Sequence, residues 1–176
     1  MTSPPAATER QAGPPTPSLR APVNLVSSRA IDFWTTRALL GWLVPIGLQV
    51  GILFLASTAS HRGANVGVLV ATALLATAHL AVMPRWRFRV HRWEVSATAC
   101  YAQSGWITQQ RRIAPLSRIQ TVDAERGPLE QLFRLANVTV TTASAAGPIK
   151  IRALDSAVAD RLVQELTAAA GAGDAT

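Results

Sequence analysis

Residues 38–59, ALLGWLVPIGLQVGILFLASTA, and residues 64–83, ANVGVLVATALLATAHLAVM, are apolar runs without Asp, Glu, Lys or Arg, separated by the link Ser60-His61-Arg62-Gly63. As helices rising 1.5 Å per residue, each reaches roughly 30 Å, the thickness of a bilayer's hydrocarbon core. Two buried helices of a soluble core are the alternative, but a chain of 176 residues has too little remaining sequence to wrap both on every side. The pair therefore reads as a transmembrane hairpin, with helices over 38–59 and 64–83.

The arginines orient it. Arg29 and Arg37 precede the first run, and Arg85, Arg87, Arg89 and Arg92 crowd the exit of the second, while the link carries Arg62 alone. The positive-inside rule then puts both termini in the cytoplasm and makes the chain a two-span protein of the cell membrane. The first run begins too far into the chain, and is too long, for a cleaved signal. Residues 1–28 hold Pro4, Pro5, Pro14, Pro15, Pro17 and Pro22 among few apolar residues, the composition of a disordered tail. Phe33 and Trp34, mirrored by Trp86, stand where aromatic rings favour the headgroup layer.

The net charge of +7 suits nucleic acid or an anionic membrane face. A membrane protein already has the second beside it, so nucleic acid is not the expected partner. Each arginine near an anionic leaflet contributes on the order of 1 kcal/mol, which makes Arg85, Arg87, Arg89 and Arg92 the candidate membrane-surface residues. Within the first run, Gly47 and Gly51 have the spacing that lets another helix approach closely, either the second span or a second copy of the chain.

Beyond Pro84 the pattern has period two. Trp86, Phe88 and Val90 alternate with Arg85, Arg87 and Arg89, which on a strand separates an apolar from a basic face. Further strands are predicted over residues 99–104, 106–113, 119–125, 136–143 and 148–152, with Ala136, Val138, Val140 and Thr142 on one face of a half-buried antiparallel sheet. Between two of them, Gly127 and Pro128 open a short helix whose Leu129, Leu132 and Phe133 share a face and plug the sheet. Asp155 caps a closing helix with Val158, Leu162 and Leu166 inward, and residues 171–176 form a disordered end.

The residues give little support to catalysis. His61, His79 and His91 fall in the link, a span and the first strand, too scattered to converge on a metal. No serine or cysteine nucleophile has a credible base, and no glycine-rich phosphate loop opens a helix. Asp123, Glu125 and Glu130 read as surface partners of Arg126. Cys100 reads as a small buried apolar side chain. Gln49 and His79 are polar residues inside the spans, and no acidic group accompanies them to complete an ion path.

Ile113-Ala114-Pro115-Leu116-Ser117-Arg118-Ile119-Gln120, then Arg126 to Phe133, then Val138 to Ala143, resemble the bacterial PH domain family of small membrane proteins called YdbS-like. The resemblance runs roughly from Ala38 to Ala168. It implies an α+β fold: a two-helix transmembrane hairpin followed, over 85–170, by a PH-like antiparallel barrel or bent sheet with a C-terminal helix. Arg134 departs from the family, which often carries glycine there. PH-like domains in general bind phosphoinositides, phosphorylated peptides or proteins, and the resemblance suggests a larger membrane protein with repeated PH-like domains as partner. The expectation is a non-enzymatic module, without cofactor, that docks a partner membrane protein and contacts anionic lipid. A selective headgroup sensor is the alternative, and a small oligomeric transporter built around His79 and Gln49 a more distant one.

Overall fold

The computed structural model describes residues 22–55, 59–106, 108–144 and 147–173. Residues 1–21 of the expected tail, and 174–176 of the expected disordered end, lie outside them. The hairpin consists of α1, Arg29–Leu55, and α2, Ala59–Val90. Both are long and apolar enough to cross a membrane, and they turn Leu39, Leu43, Val44, Leu48, Leu74 and Leu75 outward. Apolar residues facing out along both helices are stable in lipid and costly in water.

Both helices outrun the apolar runs at the domain end, and the expected link Ser60-His61-Arg62-Gly63 is corrected: these residues are helical, in the opening turns of α2. Residues 85–90 are the last turns of α2 and not a strand, so the expected basic strand face is corrected. Six residues are too few to separate the two periods: Pro84 and Phe88, Trp86 and Val90, and Arg85 and Arg89 are all i, i+4 pairs on one helix. On that helix Arg85 and Arg89 share a side and Arg87 points about 200° away from Arg85. Pro84 is fully buried and Val90 is buried, and this packing offsets the roughly 3 kcal/mol that a proline costs inside a helix.

The domain opens at β2, Arg92–Val95, and continues through β3, Ala99–Gly105, and β4, Gln109–Pro115. A single 3₁₀ turn, Leu116–Arg118, leads to β5, Ile119–Glu125, then α3, Pro128–Leu132, β6, Leu135–Thr142, β7, Ile149–Asp155, and α4, Ser156–Gly173. The strand expected from Trp106 starts later, at Gln109, because Trp106 and Thr108 lie in bends. Gly105 turns there at φ +134°, and a Cβ on it would fall 2.0 Å from the Thr108 carbonyl oxygen, so only glycine fits. The end of the chain that was expected to be disordered is helical as far as Gly173.

Residues 22–28 also belong to the folded part. Asn24–Leu25 forms β1, paired antiparallel with β2, and Val26 is buried. The strands make two antiparallel sheets, ordered β1-β2-β3-β4 and β5-β6-β7, which do not close into one barrel. Cys100, Ala102 and Ala114 of the first sheet share a core with Val138, Val140 and Ile151 of the second and with Ala159, Leu162 and Leu166 of α4. The Asp155 cap holds as expected: its Oδ1 accepts from the Ala157 N–H at 3.1 Å.

A second core joins hairpin to domain. Val26, Ala30, Phe33 and Trp34 are buried with Leu135 and Ala153, and Leu129 and Phe133 pack against them. The Phe33 and Phe133 rings meet edge to face at 6.1 Å. Phe33 and Trp34 thus serve this core and not the headgroup layer. The plug helix holds for Leu129 and Phe133, but Leu132 is 75% exposed, since a helix of five residues buries only one narrow side.

Backbone strain gathers beside this core. Arg134 at φ 55° and Ala153 at φ 57° are the described non-glycine residues with positive φ, so Arg134 adopts the conformation for which the family resemblance suggests glycine. The β6–β7 register shifts between Ala136 and Val138. Asn137 repairs it: its Oδ1 accepts from the Ala153 N–H at 3.0 Å, while its Nδ2 donates to Glu130 Oε1 at 3.3 Å. The side chain replaces the ladder bond lost at the bulge.

Candidate functional site

The last turn of α2, the outward face of β7 and the β3–β4 hairpin enclose a cavity of about 550 Å³. Its basic lining is Arg87, Arg112, Lys150 and Arg152, with His91 beside them, and none of the described lining residues is acidic. Alternation explains the supply from β7. Ile149 and Ile151 are buried while Lys150 and Arg152 are exposed, so the strand fills the core with one face and charges the cavity with the other.

Arg87 is held from behind. Its guanidinium carbon lies 4.8 Å from the centroid of the Trp34 ring, a cation–π contact between α2 and α1, and it shares its surroundings with the charges of Arg152 and Arg37. His91 closes the corner, its ring 5.1 Å from that of Trp34 and its Nδ1 2.8 Å from the Arg87 carbonyl oxygen. A carbonyl only accepts, so Nδ1 carries the proton and Nε2 is bare in the neutral ring. Burial first, then the charges of Arg87 and Arg152, push His91 down to about 4, although the bond to Arg87 pulls the other way. At neutral pH the histidine adds no charge to a site already crowded with cations.

Aromatic rings set the depth of the cavity. Trp106, at the tip of the β3–β4 hairpin, lines it, and the Trp106 carbonyl accepts from Trp86 Nε1 at 3.1 Å. The Trp106 ring also lies 5.9 Å from that of His79, whose Nδ1 accepts from Trp42 Nε1 at 2.9 Å. The hairpin tip therefore rests along α2 over its exit from the apolar run, and Arg87 stands four residues, roughly 6 Å, beyond Met83.

The four candidate membrane-surface arginines separate. Arg87 alone enters the cavity. Arg85 donates to the Ala81 carbonyl at 2.8 Å, and Arg92 makes a long 3.4 Å bond to the Arg89 carbonyl. Arg85 and Arg89 remain on the exposed surface of α2. A Cβ on Gly47 or Gly51 would meet nothing within 4 Å, so these glycines do not mediate the contact between the two spans. Gln49 meets the second span instead, donating to Thr72 Oγ1 at 3.0 Å.

Arg112, Lys150 and Arg152 were not among the candidates. The alternation of β7 marks Lys150 and Arg152 as outward facing, but nothing local in the sequence shows that this face meets the end of α2. Cys100 is buried and its thiol is pushed up to about 11 by burial, which leaves it a core side chain. Arg126 pairs with Asp160 of α4 rather than with Asp123, Glu125 or Glu130. Among the described residues, no group of three His, Cys, Asp or Glu side chains is placed to hold a metal.

Comparison with known proteins places the chain in a family. A family model described as "Bacterial PH domain" matches residues 39–170. The chain belongs to the bacterial PH domain family. It is similar to the UPF0699 transmembrane protein YdbS of Bacillus subtilis (strain 168), 30% identical over 142 residues that cover 80% of this chain and 88% of that protein. No solved structure matches it significantly. A transmembrane relative and two long apolar helices make this bacterial PH domain a membrane protein.

Proposed function

We propose that this bacterial PH domain is a non-enzymatic module, fixed by its hairpin with both termini in the cytoplasm, that contacts anionic lipid and docks a partner membrane protein. The observation that carries the lipid contact is the cationic cavity without a described acidic lining residue, placed where α2 leaves the apolar run. Like charges gathered in a partly dehydrated recess repel one another, and an anion relieves that repulsion. The excess of arginine outside the link supports the orientation. Docking is supported by Leu132, an apolar side chain 75% exposed on α3, and by the larger relative with repeated PH-like domains that the family resemblance suggests. A recess, unlike a flat basic face, also favours the second reading, a sensor selective for one headgroup.

Polymer extraction of the full-length protein with its surrounding lipid tests the reading. Anionic lipid is expected to be enriched over the bulk membrane, less so for an Arg87→Gln/Arg152→Gln variant and at high salt, where screening shortens to about 3 Å at 1 M. Bulk composition around the wild-type protein removes the lipid contact. Crosslinking in native membranes tests docking, and reporter fusions after Arg20 and after Asp174 test the orientation.

A further inference from the structure

We infer that the cavity between α2, β7 and the β3–β4 hairpin receives a doubly charged phosphate, a phosphomonoester, in preference to the singly charged phosphodiester of common anionic lipids. The inference rests on the anionic-lipid reading and narrows it to one chemistry.

Charge and donor number both point this way. Arg87, Lys150 and Arg152 converge on the recess from two elements, with Arg112 on a third wall. Arg112 already donates to the Pro148 carbonyl at 3.1 Å, which leaves three principal cations to serve the ligand. A phosphodiester offers one negative charge and two unesterified oxygens, so most of the positive charge in the recess would stay uncompensated. A phosphomonoester offers two charges and three terminal oxygens, one for each cation. Guanidinium groups read this geometry as well as the sign, because their donors form a planar fork. The Trp34 ring behind Arg87 fixes one of those forks in advance, so less ordering is needed on binding.

Volume and depth agree. About 550 Å³ falls within the range of small-molecule sites, roughly 300 to 1,000 Å³, enough for a phosphate with part of its hydration shell. The cavity lies just beyond the end of the apolar run, the depth at which a lipid presents its headgroup. A soluble phosphomonoester entering from the aqueous side has the same chemistry.

The test uses the full-length protein in phosphatidylcholine nanodiscs containing phosphatidic acid or phosphatidylglycerol at matched surface charge, with retained lipid counted by native mass spectrometry. Phosphatidic acid is expected to be retained about tenfold over phosphatidylglycerol, the weight of one charge-assisted hydrogen bond. The preference should vanish in Lys150→Gln/Arg152→Gln and persist in Arg85→Gln/Arg89→Gln. Lys150 and Arg152 are exposed, so the variants should fold, and an unchanged unfolding transition checks this. Lys150→Gln alone repeats the test with a smaller change and should lower the preference severalfold. A parallel arm offers glycerol 3-phosphate to protein in pure phosphatidylcholine discs. Saturable binding that Lys150→Gln/Arg152→Gln abolishes, without a preference among lipids, supports the phosphate site and assigns its ligand to the aqueous side. Equal retention of the two lipids together with no binding of glycerol 3-phosphate overturns the inference and leaves general leaflet contact standing. Loss of all anionic lipid from the wild-type protein, together with no binding of glycerol 3-phosphate, overturns both.

Discussion

Along the apolar runs, α1 and α2 meet through Trp42 with His79 and Gln49 with Thr72, and they present Leu43, Val44 and Leu48 outward. Where the same helices leave those runs, their character reverses. Phe33, Trp34, Pro84 and Val90 are buried, packed into the domain or into each other. The first region is stable because of what surrounds it, and composition over a window of 18 residues is enough to define it. The second is stable because of which distant residues it touches, a property no local window contains. The difference implies that the hairpin is more than an anchor, since its domain end completes the domain's core.

The largest expected effect breaks that comparison most directly. Trp34→Ala removes the ring behind Arg87 and beside His91, and should cost about 3 to 5 kcal/mol of domain stability. Leu43→Ala, in the same helix but facing outward, should change it by less than about 0.5 kcal/mol. Denaturant titration of the detergent-solubilised protein, followed by domain fluorescence, checks both. Similar losses from the two substitutions would show that the junction is no more structural than the lipid face.

Acid should sharpen the contrast next. His91 is held neutral, with its value pushed from 6.5 down to about 4. Its contribution to stability is complete above the unfolded value of 6.5 and is lost as pH falls toward 4, because the unfolded chain takes up the proton first. At 1.36 kcal/mol per unit the full loss is roughly 3 kcal/mol. Stability measured between pH 7.5 and 4 should fall across this window, and His91→Gln, which keeps a donor for the Arg87 carbonyl, should flatten the fall. An undiminished slope in that variant assigns the acid sensitivity to another group.

Much of the architecture was legible because its signals are local. The two apolar runs, β5 from Ile119 to Glu125, the Gly127-Pro128 start of α3 and the Asp155 cap each depend on neighbours in sequence, and each stands as expected. The junction was not legible, for reasons visible in particular residues. Residues 85–90 satisfy both the strand and the helix period, and Phe33 and Trp34 have the composition of an interfacial belt whether or not a domain covers them. Of the candidate site, Arg87 alone was singled out. Its companions on β4 and β7 lie 25 to 65 residues away, and only the tertiary fold gathers their charges at the end of α2.

Asn137 probes the bulge that turns β7 beside the cavity. Asn137→Ala leaves the Ala153 N–H without its acceptor and Glu130 without a donor, and should cost about 1 to 3 kcal/mol. Glu130→Ala keeps the Asn137 acceptor for Ala153 and loses only the bond from Asn137 Nδ2 to Glu130, so it should cost less. Equal losses would place the energy in the Glu130 contact rather than in the bulge.

The smallest effect concerns Arg134, where the chain passes from α3 into β6 with φ 55°. Holding a residue with a Cβ in that conformation costs roughly 1 kcal/mol, which glycine does not incur. Glycine loses more backbone entropy on folding, and at this position the relief of strain should outweigh that loss. Arg134 is exposed, so Arg134→Gly gives up little packing and should stabilise the domain by up to about 1 kcal/mol. Arg134→Ala is the control, since it removes the charge and the stem while keeping the Cβ, and it should give no gain. A gain shared by both variants would trace the effect to charge. A loss confined to the glycine variant would mean that unfolded-chain entropy outweighs the strain, and the left-handed step into β6 would then cost the fold nothing beyond what an ordinary turn does.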